Sequence, residues 1–163
     1  GLALPAEFSG AAFYCSPLAR AVETAKIIGM GQPRLEPRLV EMSWGAWEGR
    51  TLADLRRQLG AAMTVNEAQG LGFQPEGGES PAMVQARLKP WLRELAAAAE
   101  DAVAVSHKGV LRALLALATD WDMTGKPPLK LDFACLQVFR LDSDGRPTLE
   151  KSDLPLVKMA PGS

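Results

Sequence analysis

Two short apolar runs, each followed at once by a helical pattern, constrain the fold of this chain more than any other feature of its sequence. The first run is Ala11 to Ser16, and apolar residues at helical spacing follow it from Leu18 to Ile28. The second is Ala102 to Ser106, which leads into His107-Lys108-Gly109 and a leucine-rich stretch. An apolar run of this length predicts a buried strand, and the spacing beyond it predicts a helix. Two such units indicate an α/β fold with a mostly parallel sheet.

Apolar patterns and capping residues predict further elements. Pro90 should kink or split the longest helix, because proline has no N–H to donate to the helical ladder. Gly1 to Phe8 show no strand pattern, and Pro155 to Ser163 are expected to form a loose tail. The predicted elements are strands over Arg34 to Val40, Phe133 to Leu141 and Thr148 to Lys151, a turn at Ser143-Asp144-Gly145, and helices over Thr51 to Leu59, capped by Thr51, and Pro81 to Ala99, capped by Ser80.

The composition is that of an ordinary folded domain. Residues 1–163 fit within the usual size of one domain, and the 47% hydrophobic and 23% charged residues argue against disorder. A net charge of -1 provides no general attraction for nucleic acid or for acidic membranes, so neither is an expected partner. The sequence has no apolar stretch near the roughly 18 residues of a membrane span and no secretion signal, which predicts a cytoplasmic location.

Cationic side chains stand where helix dipoles disfavour them. Arg20 falls in the first turn of the first predicted helix, and His107 and Lys108 lie where the helix after the second strand begins. Free N–H groups at helix N-termini attract anions, and the carboxyl ends of parallel strands meet at one edge of a sheet. The sequence therefore predicts a phosphate site built from Arg20 and His107, to which Lys108 can add its charge or its backbone N–H.

Each of these residues also has an ordinary structural interpretation. Arg20 can be a surface arginine whose stem covers its helix, His107 a partly buried histidine with satisfied hydrogen bonds, and Lys108 a solvated lysine. His107 is the only histidine, which excludes a site that needs a histidine pair. Neither G-x-G-x-x-G nor a P-loop is present, so no nucleotide, other cofactor or metal is expected.

Four segments, in order along the chain, resemble motifs of the histidine phosphatase or phosphoglycerate mutase-like family. Ser16 to Ala25 (SPLARAVETA) is similar to the family's S-P-L-x-R-A-x-x-T-A, and Glu41 to Gly49 (EMSWGAWEG) to its E-x-x-x-G-x-W-E-G. Gly77 to Ser80 (GGES) resembles a stretch near the substrate mouth. Val105 to Arg112 resembles the segment around the family's second histidine, but Lys108 stands where a glycine is usual.

The resemblance implies a fold and a set of roles. The fold is a three-layer α/β/α arrangement around a mostly parallel mixed sheet. Arg20 and His107 would bind phosphate, and Glu41 would be the proton donor, although a surface glutamate in a loop is the alternative for it. The implied activity is hydrolysis of small phosphorylated metabolites through a phosphohistidine. The partners would be such a substrate or inorganic phosphate, and a homodimer stays open; the residues expected at the substrate mouth are Gly78, Glu79 and Ser80.

The family's R-H-G motif, which carries the nucleophilic histidine at the end of the first strand, occurs nowhere in the 163 residues. The resemblance therefore implies an N-terminally incomplete domain that lacks its first central strand, beside Ala102 to Ser106. Such a gap would leave backbone polar groups unpaired, which is costly when they are buried. We expect the natural protein to be longer and this chain alone to be inactive.

Two other functions remain open on the sequence. One is a phosphoglycerate mutase, which returns the phosphoryl group to a second hydroxyl and must shield it from water. The stretch between Gly49 and Glu76 looks too short for an elaborate lid, which favours hydrolysis. The other is a protein that binds phosphate esters without turnover, keeping Arg20 and His107 but no nucleophile.

Overall fold

The computed structural model describes residues 1–158 and contains both predicted strand-to-helix units. The first unit is β2 followed by α1, and the second is β4 followed by α5. In chain order the elements are β1 (Leu2–Ala3), β2 (Ala12–Cys15), α1 (Ala19–Ile27), β3 (Arg34–Leu35), α2 (Leu52–Leu59), α3 (Ala61–Glu67), α4 (Pro81–Ala98), β4 (Ala102–Val105), α5 (Lys108–Thr119), β5 (Leu136–Leu141), β6 (Pro147–Leu154) and β7 (Val157–Lys158).

A parallel sheet in the order β3-β2-β4 forms the centre of the fold. Strands β2 and β4 pair in register from Ala12 with Ala102 to Cys15 with Val105. One residue further on, the Ser16 N–H donates to the Val105 carbonyl at 2.9 Å. Both strands therefore end at the same level, and the residues that follow them lie side by side at one edge of the sheet.

Helices cover both faces of this sheet. Cys15 and Val103 point to one face and pack against Ala25 and its neighbours on α1. Tyr14, one position earlier on β2, points to the other face and packs with apolar residues of α4 and α5. This is the predicted three-layer α/β/α architecture with a mostly parallel sheet.

The antiparallel hairpin β5-β6 is not hydrogen-bonded to β4 within residues 1–158. Between the two lies a cavity of about 800 Å³, here called the inter-sheet groove, with Ala104 of β4 on one side and Val138 of β5 on the other. Trp91 of α4 also lines it, and its buried indole N–H has no partner among the described residues. The mixed sheet expected from the sequence is thus divided at this groove.

The structure corrects one predicted strand and one predicted absence of a strand in the first half of the chain. The strand expected over Arg34 to Val40 stops at Leu35, because the Glu36 side chain accepts the Arg38 N–H at 2.9 Å and caps a 3-10 turn over Pro37–Leu39. Gly1 to Phe8, expected to lack a strand, contain β1, which pairs with β7.

The second half differs in three places. Helix α4 is not split at Pro90, because Pro90 and Ala86 lie on its exposed side, where water can bond the carbonyl left without a donor. Strand β6 is longer than predicted, while β5 begins only at Leu136. The tail predicted to be loose includes β7, and its residues 159–163 lie outside the described part of the chain.

Candidate active site

The predicted histidine lies buried at the carboxyl edge of the parallel sheet. His107 follows β4 and is the N-cap residue of α5, with 7% of its surface exposed. Its Nε2 lies 2.8 Å from the hydroxyl oxygen of Ser16, the residue that follows β2. The in-register pairing of the two strands produces this contact. The contact gives one ring nitrogen of the imidazole a hydrogen-bond partner and so fixes the position of the ring.

The surroundings of His107 favour its neutral form. Burial lowers the pKa of His107 below its usual value, and the positive charges of Arg20 and Arg87 lower it further. The carboxylate of Glu41 acts in the opposite direction without cancelling these effects. Arg20 and Glu41, which the sequence predicted to share a site with His107, therefore both lie close enough to His107 to influence its charge.

The Glu41 carboxylate is held at the start of α5. One of its oxygens accepts the Met42 N–H at 2.8 Å, and the other accepts the Gly109 N–H at 3.3 Å. A Cβ atom at position 109 would lie 2.5 Å from Glu41 Oε1, so only glycine leaves room for the carboxylate here. The carboxylate is thereby directed toward the helix N-terminus that His107 caps.

Arg20 and Lys108 each lie in the first turn of a helix, as the sequence predicted. Arg20 is the second residue of α1 and is exposed, and it forms no salt bridge with any carboxylate of residues 1–158. Lys108 is the first residue of α5, and its Nζ lies 5.1 Å from the centre of the Phe133 ring. Arg20 thus lies on the His107 side of the site, while Lys108 lies over a neighbouring pocket.

A salt bridge between α4 and the segment before it fixes the loop that carries Glu41. Arg87 donates to Glu79 Oε1 at 2.9 Å and to the backbone carbonyls of Arg38 and Val40. The other Glu79 oxygen accepts the Ser43 N–H at 3.0 Å. Burial disfavours the charged form of Glu79, but its bonds to Arg87 and Ser43 outweigh this and lower its pKa. The loop is held on both sides of Glu41.

Two of the three residues predicted at the substrate mouth, Gly78 and Glu79, contact this same loop. A Cβ atom at Gly78 would lie 2.5 Å from the Ser43 carbonyl oxygen, so the backbone of the loop packs directly on Gly78. Ser80 is the N-cap of α4, and its hydroxyl accepts the Met83 N–H at 3.2 Å. Gly78 and Glu79 thus support the loop directly, while Ser80 begins the helix that carries Arg87. Contact of these three residues with a substrate stays a prediction.

A cavity of about 630 Å³, here called the side pocket, opens beside Glu41. Residues from α2, α3 and the turn after them line it together with the start of α5. The side pocket thus adjoins the Glu41 carboxylate at the start of α5. Its lining includes Glu41, Trp44, Arg56, Phe73, Lys108 and Arg112.

Sequence reasoning missed four residues that shape the site. Ser16 was recognised only as part of a motif, although its place after an apolar strand could have indicated a contact with the next strand's end. Gly109 was visible as a glycine in a helix, where it lowers helix stability and so needs another reason to be present. Arg87 and Arg112 had no distinguishing signal, because their roles depend on tertiary contacts.

Two further findings concern the described part of the chain. Within residues 1–158, no group of three or more His, Cys, Asp or Glu side chains is arranged to hold a metal ion. In the same residues, no helix combines the length and the apolar character that crossing a membrane requires.

Residues 3–153 match the family model of the histidine phosphatase superfamily (branch 1). The match spans nearly all of the chain and includes Arg20, Glu41 and His107. The chain belongs to this superfamily, as the four motifs of its sequence predicted.

Curated relatives are much longer than this chain. The bifunctional protein Rv2228c of Mycobacterium tuberculosis is 31% identical over 140 residues, which cover 83% of this chain and 38% of that protein. The 6-phosphofructo-2-kinase/fructose-2,6-bisphosphatase of Arabidopsis thaliana is 30% identical over 122 residues, covering 74% of this chain and 16% of that protein. The chain thus spans well under half the length of these relatives.

Solved structures share the fold over most of the chain. A mycobacterial glucosyl-3-phosphoglycerate phosphatase in complex with VO3 has a TM-score of 0.73 and 27% identity, covering 91% of this chain and 78% of that one. YhfR of Bacillus stearothermophilus has a TM-score of 0.70 and 26% identity, covering 87% of this chain and 72% of that one. The α-ribazole phosphatase of Shigella flexneri has a TM-score of 0.67 and 24% identity, covering 90% of this chain and 76% of that one. At this identity it supports the fold alone.

Proposed function

We propose that this chain is the phosphate-binding and proton-donating part of a phosphomonoester hydrolase acting on small phosphorylated metabolites. The observation that carries this proposal is the convergence of Arg20, Glu41 and His107 at one edge of the sheet, beside a pocket open to a ligand. Proteins of similar fold and sequence that are named as phosphatases support it. The whole protein would act in the cytoplasm without a cofactor.

Each residue has a chemical role in this proposal. Arg20 and the His107 imidazole bind the oxygens of the phosphoryl group, whose negative charge must be stabilised as it transfers. Glu41, beside the side pocket, donates a proton to the bridging ester oxygen, which then leaves as the hydroxyl group of the alcohol. Ser16 holds the His107 ring through the 2.8 Å contact, and the Glu79–Arg87 salt bridge positions the loop of Glu41.

The nucleophile is proposed to be a histidine outside these 163 residues. It would attack phosphorus while the bond to the alcohol oxygen breaks, and water would then release phosphate from the phosphohistidine. The segment that carries it would lie as a strand in the inter-sheet groove, between β4 and β5. The unpartnered indole N–H of Trp91 supports this position, because a strand carbonyl there could accept it. On this proposal the 163-residue chain alone is inactive.

Phosphate release by the full-length protein tests the proposal. Wild type should liberate inorganic phosphate from small phosphomonoesters, and His107→Ala and Glu41→Gln should each reduce kcat by about 10²-fold or more, as loss of a charge-stabilising donor or of a general acid does. Lys26→Gln, on the exposed last turn of α1, is the control and should change nothing. Unchanged turnover in both active-site variants would refute the assignment. Conversion of 3-phosphoglycerate to 2-phosphoglycerate without phosphate release would identify a mutase instead.

A second candidate is a protein that binds phosphate esters without turnover. Arg20 and His107 lie where they could bind a phosphate ester without any nucleophile, which is the reason for considering it. In that case inorganic phosphate should raise the unfolding temperature of the full-length protein, while no phosphomonoester is hydrolysed. An R-H-G sequence upstream of Gly1 in the coding DNA would argue against this candidate.

A further inference from the structure

The lining of the side pocket carries an excess of positive charge. It contains three cationic side chains, Arg56, Lys108 and Arg112, and two carboxylates, Glu41 and Glu67. Arg56 and Glu67 are paired with each other, with Arg56 Nη2 2.6 Å from Glu67 Oε1. This pair compensates itself, so Lys108 and Arg112 face only the carboxylate of Glu41, which is bonded to the backbone N–H groups of Met42 and Gly109.

Lys108 and Arg112 are presented together to the pocket. They lie four residues apart on α5, so they occupy the same face of that helix. Neither forms a salt bridge with a carboxylate of residues 1–158. Both instead lie over aromatic rings, Lys108 Nζ at 5.1 Å from the centre of Phe133 and Arg112 Cζ at 5.7 Å from that of Trp121.

These aromatic contacts hold the cations without using their hydrogen-bond capacity. A cation over a ring face is attracted by the ring's quadrupole, and its N–H donors stay free for another acceptor. The Trp121 ring is itself fixed, because its indole N–H donates to the Thr124 carbonyl at 3.0 Å. The pocket wall therefore offers two oriented donors of positive charge one helical turn apart.

We infer that the side pocket binds an anionic leaving group, so that preferred substrates carry a second acidic group on the alcohol whose phosphate is removed. This inference rests on the proposed function, since Glu41 marks the side pocket as the leaving-group side of the site. Lys108, where the sequence departs from the family's usual glycine, and Arg112 are the residues that select such substrates. A carboxylate and a second phosphate share the chemistry that these cations recognise.

Matched phosphonates test the inference without depending on hydrolysis, because their carbon–phosphorus bond replaces the ester. The two probes are 3-phosphonopropionate, which carries a carboxylate, and 3-hydroxypropylphosphonate, which has a hydroxymethyl group instead. Binding of each to the full-length protein is measured by titration calorimetry. The carboxylate should improve binding by about five- to tenfold, as two partly exposed ion pairs allow. The preference should disappear in the double variant Lys108→Gln/Arg112→Gln and persist in Lys26→Gln.

The outcomes separate this inference from the proposed function. Equal binding of the two phosphonates by wild type, or a preference that the double variant retains, would overturn the inference. Tighter binding of 4-nitrobenzylphosphonate than of either probe would do the same, since it would indicate that Trp44 and Phe73 select an apolar group. A preference for the carboxylate in a protein that hydrolyses no phosphomonoester would refute the proposed reaction, and of the inference it would support only the binding of an acidic group by Lys108 and Arg112.

Discussion

At the scale of single residues, a substitution of Gly109 should change the geometry of the site while it leaves the stability of the protein nearly unchanged. In Gly109→Ala the new methyl group would lie 2.5 Å from Glu41 Oε1, and the flexible carboxylate would move more easily than the helix. We expect kcat of the full-length protein to fall by about 10²-fold, the cost of misplacing a reacting group by about 1 Å. The free energy of unfolding should change by less than about 1 kcal/mol, because alanine favours the helix.

The control for Gly109→Ala is Gly10→Ala. A Cβ atom at Gly10 meets nothing within 4 Å, so this variant should retain full activity. If Gly109→Ala kept wild-type kcat, the position assigned to the Glu41 carboxylate would be wrong.

His107 predicts a pH dependence of stability. Its pKa in the folded protein lies below its usual value because of burial and of Arg20 and Arg87. As the pH falls below about 6.5, the unfolded chain therefore binds a proton before the folded protein does, and stability decreases. The free energy of unfolding should fall between pH 7.5 and 5.5 in wild type and change less in His107→Gln. Because the two proteins differ only at position 107, an equal slope in both would contradict this account.

The sequence predicted the residues of the site better than their partners. Arg20, Glu41 and His107 were predicted because their motifs are local, and the structure brings them together. The contact of His107 with Ser16 joins residues 91 positions apart, so it depends on the register of β2 and β4. Such partners become visible only when the sheet is assembled.

At the scale of elements, Arg87 joins α4 to the loop of Glu41. Arg87→Met would remove the donor of the Arg38 and Val40 carbonyls and would leave the Glu79 carboxylate with only the Ser43 N–H. Because this side chain is 19% exposed, we expect a loss of about 1 to 3 kcal/mol in the free energy of unfolding, measured by urea denaturation. The matched variant Arg57→Met breaks an exposed pair with Asp54 and should cost no more than about 0.5 kcal/mol. Similar losses of unfolding free energy in the two variants would show that the Arg87–Glu79 salt bridge stabilises the protein no more than an exposed pair does.

The elements that the sequence predicted well carry strong local signals. Helix α4 has Ser80 as its cap and an apolar stripe, and α5 follows an apolar strand. The elements it missed depend on distant partners: β1 has two residues and pairs with β7, more than 150 positions away. Helix α3 lacks a side-chain cap and buries only Met63, so little in its sequence marks it as a helix.

At the scale of the whole molecule, the inter-sheet groove predicts how β4 behaves in the full-length protein. If a further strand lies in the groove, β4 is an interior strand with partners on both sides, and its amide hydrogens should exchange slowly. Strand β3, at the outer edge of the sheet, serves as the internal comparison and should exchange faster. Equally fast exchange in β3 and β4 would contradict the proposal that the groove is filled.

The most direct test of the central claim is to trap the phosphoenzyme of the full-length protein with a phosphomonoester labelled at phosphorus. We expect a label that survives alkali, is lost in acid and maps to a histidine other than His107. Labelling should be much reduced in His107→Ala, because the phosphoryl group would lose a donor that stabilises its charge. Phosphate release without such a label, or a label on a serine, cysteine or carboxylate side chain, would contradict the account.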